Sequence, residues 1–377
     1  MRATISRTLT SIITSSRLRA ARRGWHGLGR AFGGKAVVHY FHQPDDPYSQ
    51  LAAQLLKPLA DSYRITLQSH IVSPPDAAAA PEREKLVQLA REDAALLARA
   101  YGLKYPAAEA APKDAGANGD ELRKRLGHYL SAMFYFEGEW YWGIDRLHFL
   151  EERLHGVGLS KSKGPFKPIA PVKDVTFSGA PGSAKGATLD YFLSFRSPYT
   201  YLAVPRVRKL AAHYGANLRL RFVLPMVMRG LPVPQVKRLY ITLDTKREAE
   251  RLGMPFGTIV DPVGRGAERG LAVLHHAIKA GKGEEFVESF LRGVFAEGID
   301  AASDAGLRKL ARRADLDHDL VKRALKDESW RQVAEANRTE LFGMGLWGVP
   351  SFRVNANRPH WGQDRLWVIE QELQQTK

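Results

Sequence analysis

Two stretches of the chain share one pattern of apolar and polar positions. Ala36 to Ala52, AVVHYFHQPDDPYSQLA, opens as an apolar, aromatic run that reads as a buried strand, breaks at a Pro-containing turn and resumes as a helix. Asp190 to Ala203, DYFLSFRSPYTYLA, does the same. At an offset of 151 residues, Tyr40, Phe41, Pro47, Tyr48, Leu51 and Ala52 meet Tyr191, Phe192, Pro198, Tyr199, Leu202 and Ala203. A second pair closes each copy: YWGIDRLHFLEERL at 141–154 meets HWGQDRLWVIEQEL at 360–373, now at an offset of 219. The pattern predicts two copies of one α/β fold, the second with a much larger insert.

The elements follow in order. After the first strand and turn, a helix is expected to about Ala60, a strand near Tyr63 to His70, and a helix from Pro81 to Tyr101. Residues 104–119, rich in Ala, Pro, Gly and Lys, read as a flexible surface loop. A β-hairpin turning at Glu137-Gly138 and a closing helix complete the first copy, 36–155. Residues 156–186 lack any helical period and form a linker whose end, FSGAPGSAKGA, is its most mobile part. The second copy, 187–377, continues as a helix to about Tyr214 and a strand at 218–225, then an almost wholly helical insert at about 232–340.

Composition adds limits. The chain has 377 residues, enough for two or three domains, with the hydrophobic (44%) and charged (25%) fractions of an ordinary soluble protein. No apolar run approaches the length of a membrane span. There is no Cys, which excludes disulfides, dithiol redox catalysis and Cys-based metal sites. The net charge of +16 is concentrated at one end. Arg2, Arg7, Arg17, Arg19, Arg22, Arg23, Arg30 and Lys35 precede the first acidic residue, Asp45. Residues 1–35 therefore read as a disordered basic tail, touching RNA, lipid or nothing, or as a mitochondrial transit peptide, since Ile5, Leu9, Ile12 and Ile13 share one helical face. The positive charge is not interleaved with aromatics on a folded face, so no specific nucleic-acid partner is expected.

Ser197 stands where the second copy turns from strand to helix, with Pro198 at the first helical position. A hydroxyl there either caps the helix or faces an anion such as a thiolate, because helix N-termini stabilise negative charge. The first copy has Asp46 at this point, and a carboxylate would repel a thiolate. His275 and His276 are adjacent on a helix and point about 100° apart, so they cannot chelate one metal together. No metal-ligand spacing, phosphate-binding Gly loop or nucleophile elbow is present.

Strand, S-P-Y-T-Y-L and helix resemble the start of the 2-hydroxychromene-2-carboxylate isomerase and kappa-class glutathione transferase group, in the DsbA-like branch of the thioredoxin fold. The resemblance implies two thioredoxin-like (DsbA-like) domains, the N-terminal one degenerate and the second carrying the helical subdomain. In that group a Ser at this turn, here Ser197, supports the thiolate of bound glutathione. GVPSF at 348–352 resembles the fold's cis-Pro motif, which implies that Val349 pairs its backbone with a peptide-like ligand beside a cis Pro350. The first copy has Ser131 in place of that proline. Gly362-Gln363-Asp364-Arg365 resembles the group's turn that binds the γ-glutamyl end of glutathione, making Gln363 and Asp364 candidates, though an Asp at a helix start is also a cap. The group's Asn after the second strand is replaced by Met228-Arg229-Gly230-Leu231, leaving Arg229 or Lys237 to meet a glutathione carboxylate.

The function implied is a glutathione-dependent isomerase or transferase acting on a small electrophile, without metal, in the cytoplasm of a bacterium. The family's dimer is expected as a homodimer or as pairing of the two copies within one chain. The alternative is a non-catalytic thioredoxin-fold binding module or scaffold.

Overall fold

The computed structural model describes residues 2–116 and 118–376. The elements in chain order are α1 (Arg2–Ile13), α2 (Ser16–Ala31), β1 (Val37–His42), α3 (Pro47–Ala53), α4 (Leu56–Ser62), β2 (Thr66–Ile71), α5 (Arg83–Tyr101), α6 (Gly119–Arg125), β3 (Met133–Phe136), β4 (Glu139–Trp142) and α7 (Leu147–Gly156). They continue with β5 (Thr188–Leu193), α8 (Pro198–Tyr214), β6 (Asn217–Phe222), α9 (Gln235–Arg251), α10 (Arg265–Lys279), α11 (Gly283–Ala296), α12 (Asp304–Arg312), α13 (His318–Ala324), α14 (Trp330–Gly343), β7 (Ser351–Val354), β8 (His360–Trp361) and α15 (Leu366–Gln375).

The chain divides into two compact units. The N-terminal unit comprises 16–172 and 233–240; the C-terminal unit comprises the described residues of 1–15, 173–232 and 241–377. Each holds a four-stranded sheet, ordered β2-β1-β3-β4 in one and β6-β5-β7-β8 in the other. In both, the first pair is parallel and the other two are antiparallel. A parallel pair needs a crossover, and the helices after β1 and β5 supply it.

In the N-terminal unit the expected single helix to Ala60 is two short ones, α3 and α4, and the strand begins three residues later than expected, at Thr66. The hairpin turns at Glu137-Gly138, with φ of 45° and 84°, the pair of positive values that matches the twist of the flanking strands. Tyr40 and Phe134 pack ring to ring in the core, 4.8 Å apart. The loop expected to be flexible at 104–119 bridges the sheet edge at Gly116, beside His70; Ala117 lies outside the described residues.

In the C-terminal unit, Tyr191 of β5 stacks on Phe352 of β7, 5.2 Å apart and 7° from parallel. α8 packs beneath with Leu202, Val207 and Leu210. The helices α9–α14 are inserted between β6 and β7, α9 entering this unit at Ile241. Phe195 stacks on Phe290 of α11 at 3.9 Å, and Gly270 of α10 is required there: a Cβ would stand 2.5 Å from the Phe290 ring.

Two expectations are corrected. Residues 1–35 are not an unstructured tail. Ser6 and Arg7 of α1, and Thr14 just after it, hydrogen-bond to Ile259, Gly298 and Gly257 in the C-terminal unit, whereas Arg23 and Arg30 of α2 form ion pairs with Glu139 and Glu137 in the N-terminal unit. Both helices dock through polar groups, which an apolar-periodicity reading does not register. Beyond Gly156, the end of α7, the linker carries no helix or strand, but its end is tethered. Thr176 N–H donates to Glu370 at 2.6 Å and Gly179 N–H to the Tyr214 hydroxyl at 3.0 Å.

Candidate functional site

β5 is buried from Leu189 to Leu193 and delivers Ser194-Phe195-Arg196-Ser197 to the start of α8. Ser197 is the N-cap, in extended conformation (φ −95°, ψ 112°), and its Oγ accepts the Thr200 N–H at 3.2 Å. The same hydroxyl donates to the carbonyl oxygen of Val349 at 3.1 Å. The Val349–Pro350 peptide is cis. Ser197, Val349 and Pro350 are thus brought together, and capping does not use up the hydroxyl: it accepts from its own helix and donates its proton across the site.

The 347–350 segment is held from two sides. Gly348 lies against the Trp361 indole, where a Cβ would come within 1.8 Å, and Trp347 meets the edge of the same ring at 5.0 Å. Arg229 donates through Nη2 to the Trp347 carbonyl at 2.9 Å. Burial, with nearby Arg338, pulls its guanidinium down to about 10. Arg229 therefore joins the site by fixing the backbone two residues before Val349.

Gln363 and Asp364 sit beside the same strand, since the Gly362 N–H donates to the Pro350 carbonyl at 2.9 Å. The Gln363 side chain is buried and engaged: its Oε1 accepts from Arg206 of α8 and its Nε2 donates to Asp364. Arg206 also pairs with Asp174, which Arg251 contacts at 2.9 Å. Burial raises the Asp174 carboxyl, but Arg206 and Arg251 outweigh it and hold the group below its ordinary range. Lys237 stands elsewhere. It belongs to the N-terminal unit and donates to the Ala79 carbonyl at 2.7 Å, where burial lowers its pKa.

Two pairs at this turn escaped the sequence reading. Arg196, next to Ser197, makes a bidentate pair with Asp261, Nε to Oδ1 and Nη2 to Oδ2, each at 2.7 Å. Tyr199 donates to the buried Asp244 at 2.8 Å. Asp261 lies in DPVGRG, legible only as a helix break, and 65 residues separate it from its partner. A cleft of about 670 Å³ lined by Arg308, Arg312 and His318 lies on α12 and α13, apart from these elements. Among the described residues no cluster of three His, Cys, Asp or Glu could hold a metal, and no helix is long and apolar enough to cross a membrane.

The donor set around Ser197 (a hydroxyl with one proton and the positive end of a 17-residue helix) suits an anionic or strongly polarisable ligand atom. The equivalent turn of the N-terminal unit has the opposite character. Asp46 caps α3 by accepting from Ser49 N–H at 2.9 Å and Ser49 Oγ at 2.7 Å, and Ser131 Oγ donates to it at 3.1 Å. Burial pushes its carboxyl up, against the pull of these hydrogen bonds.

Residues 188–374 match the DSBA-like thioredoxin domain family, so the C-terminal half is a DsbA-like thioredoxin domain. The chain is 26% identical over 198 residues to a 2-hydroxychromene-2-carboxylate isomerase of Pseudomonas putida, covering 49% of this chain and 93% of that protein. It is 24% identical over 196 residues to an enzyme of the same name from Sphingobium xenophagum, covering 49% of this chain and 97% of the relative. A solved 2-hydroxychromene-2-carboxylate isomerase structure aligns over 49% of this chain and 94% of its own, with 22% identity and a TM-score of 0.43.

Proposed function

We propose that the C-terminal unit is a glutathione-dependent isomerase or transferase of the 2-hydroxychromene-2-carboxylate isomerase and kappa type, and that the N-terminal unit is a degenerate thioredoxin-like copy without this activity. The observation that carries the reading is the Ser197 hydroxyl, an N-cap that donates its proton to the carbonyl beside a cis-proline. The names of the relatives supply the reaction class.

Glutathione, when bound, would supply a sulfur nucleophile for addition to an electrophilic carbon, giving conjugation or, by addition and elimination, isomerisation. The chain's own part is electrostatic. Ser197 has a single proton to give. Turning it toward an anionic sulfur withdraws it from the Val349 carbonyl, which then becomes an acceptor for a ligand amide N–H. The first-turn N–H groups of α8 add positive potential at the same point. Arg229 and Trp361 position the 347–350 backbone, and the Arg196–Asp261 pair fixes the residue next to Ser197. At the N-terminal turn Asp46 has no proton to offer when ionised and repels an anion.

Calorimetric titration of the full chain with glutathione tests this reading. Saturable binding at a single site is expected, retained in Asp46→Ala and weakened in Val349→Pro, which removes the backbone N–H at that position. No heat of binding at millimolar glutathione would overturn it in favour of a non-catalytic binding module. The engagement of Gln363 with Arg206, and of Lys237 with Ala79, speaks for that second reading.

A further inference from the structure

A helix that packs on a protein ordinarily buries its apolar stripe and turns its charges to water. α2 is the reverse. The side it turns to the N-terminal unit carries Arg19, Arg23, His26 and Arg30, spaced i, i+4, i+7 and i+11 and all partly buried. Arg23 forms a two-pronged pair with Glu139 at 2.7 and 2.8 Å. Arg30 pairs with Glu137 and lies over the Phe136 ring. The basic face is thereby clamped to the β3–β4 hairpin. At about 100° per residue, Leu18, Ala21, Trp25 and Leu28 gather on the opposite side, and Phe32 follows on the next turn. Trp25 is 76% exposed, Leu28 56% and Phe32 89%. Arg17 and Arg22 border this stripe on its two edges.

α1 repeats the inversion within the C-terminal unit. Its Ser6 and Arg7 face makes the hydrogen bonds to Ile259 and Gly298, while Ile5, Leu9 and Ile12 are 59%, 55% and 52% exposed. In both helices polar contacts hold large apolar side chains outward, which is unfavourable in water and favourable at an interface.

Charge complementarity identifies what covers the stripe. Arg23 and Arg30 are neutralised by Glu139 and Glu137, which leaves Arg17 and Arg22 beside the stripe, and no anionic residue precedes Asp45, so the surface wanted is anionic. An indole among aliphatic and aromatic neighbours, edged by arginines, is the chemistry that sits at the headgroup boundary of a bilayer. The 16-residue α2 is too polar overall to span and lies in the interface plane instead. We propose that the outward face of α2, with Trp25, Leu28 and Phe32 as inserting side chains, docks this protein on an anionic lipid membrane surface. The proposal stands apart from the isomerase reading, since no residue of the Ser197 site takes part.

Co-sedimentation of the full chain with vesicles tests it. Phosphatidylcholine vesicles with about a third phosphatidylglycerol should carry the protein down, phosphatidylcholine alone should not, and raising salt should release it. Trp25→Ser/Phe32→Ser should weaken partitioning at least roughly tenfold, and Arg17→Gln/Arg22→Gln should erase most of the preference for anionic lipid. All four side chains face solvent, so thermal melting should match wild type. Failure to bind anionic vesicles overturns the proposal, as does a folded Trp25→Ser/Phe32→Ser variant that binds like wild type. Capture of a single-stranded RNA oligonucleotide with vesicles ignored would reassign the helix to nucleic acid.

Discussion

The two sheets have one strand order and one pairing sense, yet equivalent positions carry different chemistry. At the centre of β5, Asp190 is fully buried and faces Arg219 on β6 and Arg353 on β7, in direct register with both. At the same register point of β1 stands His39, opposite Gln68 and Tyr135, with its Nδ1 3.0 Å from the His70 ring. Two residues before the turn, β5 has the buried Leu193 and an offset of 151 brings the buried His42 to that place. At the cap, Ser197 faces Val349 and Pro350, whereas Asp46 faces Ser131. Other features are kept: Tyr40 donates to the Ser49 carbonyl as Tyr191 does to that of Thr200, and Glu151 meets Tyr63 as Glu370 meets Tyr214. Backbone topology and the hydrogen bonds that tie strand to helix persist while the charged and donor groups diverge.

The largest expected effect separates the sheet centres. Asp190→Ala leaves Arg219 and Arg353 without their shared carboxylate. Burial raises the Asp190 pKa, but hydrogen bonds from the two arginines outweigh it and hold the group below its ordinary range. Removing the anion should destabilise the C-terminal unit by about 3 kcal/mol, against about 1 kcal/mol for His39→Ala in the N-terminal unit. Urea melts followed by hydrogen exchange in 188–193 and 37–42 would read the two units separately, and equal losses would break the comparison.

A smaller effect is pH-dependent. Burial lowers the His42 pKa to about 4 from its ordinary value of 6.5. The unfolded chain then binds the extra proton first, so this residue's contribution is intact above about pH 6.5 and is lost as pH falls toward 4. Glu151 acts in the opposite sense, because burial lifts its carboxyl to about 7. The difference between wild type and His42→Leu removes that contribution. His42→Leu should gain about 1–3 kcal/mol relative to wild type between pH 7 and pH 4, after allowance for solvent screening. A pH-independent difference would show that His42 is not buried in its neutral form.

Smaller again, Ser197→Ala and Asp46→Ala each remove one N-cap and should each lower stability by about 1 kcal/mol. The two substitutions should therefore look alike in a thermal melt and differ only toward ligand.

Much of this was legible in the sequence. The Tyr-Phe and Asp-Arg repeats pointed to two units, each of which holds a four-stranded sheet, Glu137-Gly138 marked the hairpin, and the position of Ser197 before Pro198 marked the cap. The cis Val349–Pro350 bond was reached through the resemblance rather than through composition. What stayed hidden depends on contacts between distant residues. Nothing local to Gln363 says that Arg206 will take its amide oxygen, and nothing local to Lys237 says that Ala79 will receive its ammonium. The docking of α1 and α2 by their polar faces was missed because amphipathic patterning reports which side of a helix is apolar and not which side is covered.

The central claim is that Ser197 is more than a cap, and ultraviolet titration of bound glutathione tests it most directly. A donor to a charged acceptor is worth roughly 1.5–3 kcal/mol, so losing the hydroxyl should raise the pKa of the bound thiol by about one to two units while leaving binding of the rest of the tripeptide nearly unchanged. The account predicts that wild type and Asp46→Ala share one low thiol pKa and that Ser197→Ala lies above both. Equal thiol pKa values in wild type and Ser197→Ala would contradict it and leave Ser197 as the start of a helix.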